Sequence, residues 1–316
     1  MDEQQGGVVQ PFQEPKKPAT NLFLNQEGLR PGWRLLIYIV MVVAVSTAIN
    51  LLIHILFHPK QTGFNDGWSM LWQELGGFTV VFGCALIMAL IEKRSAGRYG
   101  LPASEILGKK FWLGFLIGLI QVSLLVWLIS AFGGYTFGTI ALDRAGILKM
   151  GLLYFVGFTF VGLFEEFLFR GYTQYTLGEG IGFWPAAILL SVLFGGVHLM
   201  NPGEGIVGAA SVVMVALYFC FTLKRTGNLW FAVGFHASFD WGETFLYSVP
   251  NSGLVMQGHL SNAVLKAGPK WLTGGTIGPE GSVFCFLTIA LQFLLVMWMF
   301  PAKKSETLAQ QPALQS

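Results

Sequence analysis

Charge is scarce in this chain. Asp, Glu, Lys and Arg make up 11% of its 316 residues, while hydrophobic residues make up 53%. A soluble domain carries roughly 25% charged residues. A chain this poor in charge cannot cover its own surface with polar groups, so lipid must be part of its solvent. Cysteine is also scarce. Cys84, Cys220 and Cys285 each sit inside an apolar run without paired spacing. They read as buried small hydrophobes, which excludes a disulfide framework or a zinc knuckle. There is no basic patch: the net charge is +2 and the cations lie between apolar runs, so nucleic acid is not an expected partner. No internal repeat supports a duplicated transporter architecture. No signal-peptide pattern is seen either. The first apolar run starts near Trp33, is longer than a signal core and lacks a small-residue cleavage pattern, so it is expected to remain as a span.

What the chain does have is long apolar runs. A span needs roughly 20 mostly apolar residues, and such runs lie at about 33–57, 70–92, 111–132, 148–175, 184–200, 205–223, 228–247 and 283–300. The expectation is an all-α, polytopic membrane protein with about eight transmembrane helices in a lipid bilayer. Residues 1–30, polar and rich in Gln and Pro, read as a disordered cytoplasmic tail. Residues 31–302 form the membrane domain, and 303–316 a second cytoplasmic tail. Lys16, Lys17, Arg30, Arg34, the group from Lys93 to Lys110, Arg170, Lys224, Arg225, Lys303 and Lys304 fall on one side of such an arrangement. Only Lys60, Arg144, Lys149, Lys266 and Lys270 fall on the other. That bias places both termini in the cytoplasm.

Ionisable residues inside the hydrocarbon core are functional candidates by default, because burying them there is expensive. Three sets occur. The fourth run holds Glu165-Glu166-Phe-Leu-Phe-Arg170, the fifth Phe194-Gly-Gly-Val-His198, and the seventh His236-Ala-Ser-Phe-Asp240. Glu166 and Arg170 share a helix face, with the carboxylate on the N-terminal side, the better order for an ion pair. Glu165 is rotated roughly 100° away and needs a different neighbour. His236 and Asp240 also share a face. If the fourth helix runs to about Leu177 before a turn through Gly178–Gly182, Glu165 and His198 both lie roughly 18–20 Å from the cytoplasmic end. On the same count His236 and Asp240 lie at roughly 12 and 18 Å. Three helices thus bring ionisable groups to similar depth.

These three motifs, in this order on successive apolar runs, resemble the CAAX-protease and bacteriocin-processing (ABI) family of intramembrane peptidases, whose pattern is E-E-x-x-x-R, F-x-x-x-H and H-x-x-x-N/D. The resemblance covers about residues 148–247. It implies proteolysis by a glutamate- and histidine-activated water, on a membrane-associated protein or peptide, with a bacterial inner membrane as the expected location. Glu165 would act as general base on a water held by His198, and His236 would stabilise the oxyanion. Glu166 and Arg170 would pair to fix the helix. Asp240 stands where other members carry Asn. It would orient His236, be protonated, or bind a metal; Glu165, His198, His236 and Asp240 together are the right donor types for zinc, although a His-Glu-x-x-His signature is absent. Two other functions are consistent with the motifs: a non-catalytic immunity or assembly factor on the same scaffold, and a proton-coupled transporter using the same groups as a relay.

Other polar residues receive plainer expectations. Glu243 continues the His236–Asp240 face and reads as a rim residue nearer solvent. His54, His58 and Glu74 lie near span ends and read as interfacial. The long segment 248–282, rich in Gly and Pro, reads either as an interfacial loop anchored by Trp271 or as a lid, with His259 on the lid surface.

Overall fold

A computed structural model describes residues 21–25, 28–57 and 66–301. Residues 1–20 and 303–316 of the expected tails, with His58 and Lys60, lie outside the described residues. The end of the expected N-terminal tail is ordered: Leu24–Asn25 pairs with Gly28–Leu29 in a short antiparallel hairpin, and Trp33 Nε1 donates to the Leu22 carbonyl at 3.0 Å.

The chain is all-helical, as expected. The helices are α1 (Pro31–Phe57), α2 (Gly67–Glu92), α3 (Lys109–Ala131), α4 (Arg144–Arg170), α5 (Tyr172–Ile181), α6 (Phe183–His198), α7 (Ile206–Thr226), α8 (Trp230–Trp241), α9 (Lys270–Thr273) and α10 (Val283–Met299). A π-helical turn, Gly242–Leu246, extends α8. Side chains fix several starts. Asp66 accepts from the Trp68 and Ser69 N–H groups at 3.0 Å ahead of α2. Asp143 accepts from Gly146 N–H at 2.7 Å ahead of α4. Both satisfy amides that have no partner within the helix.

Among the described residues, five of the eight expected spans are helices long and apolar enough to cross a membrane: Pro31–Leu56, Gly67–Glu92, Lys109–Ala131, Arg144–Ile181 and Ile206–Thr226. The other three are shorter, with 16 residues in α6, 17 in α10 and 12 in α8. For α8 the physical reason is its surroundings. It packs between α3 and α4 and touches α7, and Phe231, Ala232, Val233, Phe235 and Ala237 are all buried. A helix enclosed by protein need not match the ~30 Å hydrocarbon thickness that sets the length of a lipid-facing span.

Glycines bring α3 against α8. A Cβ at Gly114 would collide with the Phe231 carbonyl, one at Gly118 with the Phe235 carbonyl, and one at Gly234 with the Phe111 carbonyl. Gly114 and Gly118 are four apart, the small-residue spacing that allows helix backbones to touch in a membrane.

The expected fourth helix, running to about Leu177, is interrupted at Gly171. There α4 ends and α5 begins, and a Cβ would collide with the Phe167 carbonyl. Arg34 of α1 then joins Glu92 (3.0 Å) and Glu179 (2.8 Å), while Arg94 joins Glu179 (2.5 Å). Tyr172 donates to Glu92 at 2.5 Å. This clasp ties α1, α2 and α5 together at the end of the bundle where α3 and α8 begin. At the opposite end the segment 248–282 is not structureless: Val264–Leu265 pairs with Tyr135–Thr136, and α9 lies within it. The three cysteines are buried and free, in agreement with the sequence.

Candidate active site

Glu166 and Arg170 occupy the last turn of α4. Arg170 Nη1 donates to Glu166 Oε1 at 3.4 Å, and neither side chain is exposed. The same Glu166 oxygen lies 3.0 Å from His236 Nδ1 on α8. Glu166 is therefore a bridge between Arg170 and His236, and more than the local pair read from the sequence. His236 Nδ1–H donates a hydrogen bond to Glu166, and Nε2 faces the other two carboxylates. Glu165 Oε2 stands 3.6 Å from it and Asp240 Oδ2 3.5 Å. Both separations exceed ordinary hydrogen-bond length, so they act as charge contacts. Aromatic rings hold the assembly: Phe219 stacks on His236 with centroids 5.6 Å apart, and the Arg170 guanidinium lies 4.4 Å from the Phe194 centroid.

His198 ends α6. Its Nδ1 donates to the Phe194 carbonyl at 2.8 Å, one turn back, which leaves Nε2 as the acceptor nitrogen. It meets the other groups across a cavity of about 260 Å³ whose walls include Glu165, His198, His236 and Asp240. The three motifs thus open onto one space, as the depth argument expected.

That cavity has polar walls the sequence reading missed. Glu74 of α2 lines it and is not interfacial. Gln121 of α3, 1% exposed, lines it with Oε1 unpartnered. From the segment after α8 come Asn251, Ser252, Leu254, Met256 and Glu280. Ser252 donates to Glu280 through its N–H at 2.6 Å and its hydroxyl at 3.2 Å. The segment forms a wall of the cavity, while Trp271 is exposed and outside it. His259 is half-buried and donates to the Met256 carbonyl; it takes no part in the cavity wall. Glu243 is not at a rim. It is fully buried in the π turn with both oxygens unpartnered. Gln121 carried a usable signal, an amide inside an apolar run. Glu280, in a Gly- and Pro-rich stretch, carried none.

Near the mouth, on the connection between α6 and α7, burial pushes the Glu204 carboxyl above its ordinary range, and Glu280 adds to this. The Gly205 N–H and His198 act in the opposite direction. Among the described residues, no three His, Cys, Asp or Glu side chains are arranged to hold a metal ion. Glu165, His198, His236 and Asp240 have suitable donor types for zinc, and each imidazole keeps one ring nitrogen free while the other is bonded to the Phe194 carbonyl or to Glu166.

Residues 147–242 match the family model described as type II CAAX prenyl endopeptidase, Rce1-like. The match to the CAAX-protease family covers less than half of the chain. The Rce1-like domain begins within α4, ends at the first residue of the π turn, and contains all six motif residues. Helices α1 to α3, the segment 248–282 and α10 lie outside it. No curated protein matches the chain.

Proposed function

We propose that this protein is an intramembrane endopeptidase of the CAAX-protease type that cleaves a membrane-associated protein or peptide. The observation that carries this reading is the convergence of Glu165, His198, His236 and Asp240 on one cavity within the Rce1-like domain. Glu165 takes a proton from a water that His198 Nε2 orients by accepting its other hydrogen. The hydroxide adds to the scissile carbonyl carbon. His236 donates from Nε2 to the oxyanion, so its working form is the imidazolium, doubly protonated beside Glu165, Glu166 and Asp240. Collapse of the tetrahedral species breaks the C–N bond, and Glu165 returns its proton to the leaving amine. Glu166 positions His236, and Arg170 positions Glu166. Asp240 lies beside Nε2 as an ionic neighbour of the imidazolium.

The test compares new protein N-termini in membranes from cells expressing the wild-type chain or Glu165→Gln. Termini present only with the wild type support a peptidase. Identical sets at equal protein levels sink this reading and leave a binding or assembly role.

The proposal also places the protein in a bacterial inner membrane with both termini in the cytoplasm. The supporting observation is that Lys93, Arg94, Arg98, Lys109, Lys224 and Arg225 lie near the ends of helices that meet at one end of the bundle. Arg225 Nη1 donates to the Phe300 carbonyl there at 3.2 Å, and Leu229 N–H donates to the Gly100 carbonyl at 2.8 Å. Reporters fused after Phe300 and inserted between Gln257 and Lys270 are expected on opposite sides; the same side for both would refute this orientation.

A further inference from the structure

Every polar side chain in the apolar part of α1 lies on one side of the helix. Between Ile39 and Leu56 these residues are Ser46, Thr47, Asn50 and His54, and all the others are apolar. At helical pitch they fall within an arc of roughly 100°. Arg34, Tyr38, Met41 and Val42 fasten α1 to the rest of the protein, and they lie roughly 140° around the helix from the middle of that arc. The polar stripe therefore faces away from the bundle. Thr47, Asn50 and His54 are exposed, and Ser46 is half-buried. Water does not explain the stripe. Counted from Arg34 at the clasp, Ser46, Thr47 and Asn50 lie roughly 18, 20 and 24 Å along the axis, inside a hydrocarbon layer of about 30 Å. His54, at roughly 30 Å, reaches its far boundary.

Polar groups turned toward lipid tails are costly, and membrane helices use them to bond one another. Asn50 has the groups for this. Its Nδ2 donates to the Ser46 carbonyl at 2.8 Å, which uses one amide hydrogen. The second hydrogen and Oδ1 make no hydrogen bond among the described residues. Little else covers this helix: 6% of its apolar span is buried, against 33–50% in the other four spans. The chemistry of the stripe selects a second copy of this chain as its cover. Two copies inserted in the same orientation, related by a two-fold axis along the membrane normal, bring each residue to its own counterpart at the same depth. A stripe of Lys or Asp would repel itself there. Asn, Ser and Thr are neutral and carry both a donor and an acceptor, so each can bond its own image. The open N–H and Oδ1 of Asn50 are the pair that reciprocal Asn–Asn bonds require. We propose that this protein forms a parallel two-fold dimer through the face of α1 that carries Ser46, Thr47, Asn50 and His54. No residue of α1 lines the active-site cavity, so the dimer does not depend on the peptidase reading.

The test uses the full-length protein in cell membranes and in liposomes. Thr47→Cys and His54→Cys each place a thiol on the stripe. Leu52→Cys and Leu56→Cys each place one on the other side of the helix, where the leucines are 55% and 61% exposed. The native cysteines are buried and stay out of the reaction. Oxidation with copper phenanthroline is expected to link copies through position 47 or 54 and to leave the variants at 52 and 56 monomeric. In liposomes, resonance energy transfer between labelled copies reads the association itself. Asn50→Leu makes α1 more apolar and keeps it in the membrane, and it should weaken association by roughly 3- to 10-fold. Leu52→Ala should leave association unchanged. Equal linking from all four positions, or linking from none, overturns the proposal. Linking of positions 47 and 54 to a different membrane protein, with none between copies, also overturns it and makes the stripe a docking face for another helix. Undiminished association of the Asn50→Leu variant overturns the assignment of the interface to this face.

Discussion

Helices α1 and α8 are both strongly apolar, yet they are held in opposite ways. Along α1 most side chains are exposed, among them Val40, Val43, Leu51 and Leu56. It is attached at one end through Arg34 and through Tyr38, whose hydroxyl donates to the Val81 carbonyl at 3.2 Å. Almost every residue of α8 is buried, and its backbone rests directly on that of α3. Hydropathy alone does not distinguish the two. The difference is set by glycines on the neighbour and by where the ionisable groups sit. A lipid-facing helix tolerates change along its length, while an enclosed helix that carries a charged site tolerates almost none.

The largest expected effect is at the bridge between α4 and α8. Glu166→Gln leaves Arg170 buried without its carboxylate and His236 without a charged acceptor, a change expected to destabilise by roughly 3–5 kcal/mol. Thermal unfolding in detergent would register it as a large loss of Tm; an unchanged Tm would mean that the bridge is not structural. Next comes Glu165→Gln, which preserves packing and removes the base. Cleavage should fall by about 100-fold or more while Tm stays close to wild type, and near-normal cleavage would exclude Glu165 as the base. Gly118→Ala places a methyl group against the Phe235 carbonyl and should lower stability by roughly 1–3 kcal/mol. Val43→Ala on α1, where the valine is 59% exposed, should change it by less than about 0.5 kcal/mol. Similar losses in those two variants would break the contrast drawn above.

A modest, pH-dependent effect is expected at the α2 cap. The Ser69 hydroxyl and the Ser69 and Trp68 amides hold the Asp66 carboxyl below its ordinary range. The stabilisation is therefore complete above about pH 4, the ordinary carboxylate value, and fades as pH falls through the lowered folded-state value. Asp66→Ala should cost about 1 kcal/mol at neutral pH and progressively less in acid. A loss independent of pH would show that the carboxylate is not the capping group.

The sequence made the helical class and the six motif residues legible, because charge inside an apolar run is conspicuous whatever the tertiary fold. It did not separate the five long spans from the three shorter apolar helices, because apolar length cannot distinguish lipid from protein as the solvent of α8. The helix break at Gly171 was hidden because Tyr172 to Ile181 continue as helix on the far side of one residue. Glu74 was misplaced for a related reason. Its position in α2 is near the helix start, but whether that means solvent or a cavity depends on how α2 leans on α4. Glu243 was misread as a rim residue. It shares the face of His236 and Asp240, and that face points into the protein interior at this depth and not toward solvent. Glu280 lies far along the chain from the motifs, and only the return of the segment before α10 brings it to the cavity.

The glycine contacts between α3 and α8 carry a consequence for motion. With Gly114, Gly118 and Gly234 lying against opposing carbonyls, neither helix can slide or roll past the other without separating their backbones, so the two move as one body. A transporter works by rocking one half of its bundle about a fixed site. Here any such motion has to carry α3 together with the helix that bears His236 and Asp240, so Gln121, His236 and Asp240 keep their spacing on the cavity wall.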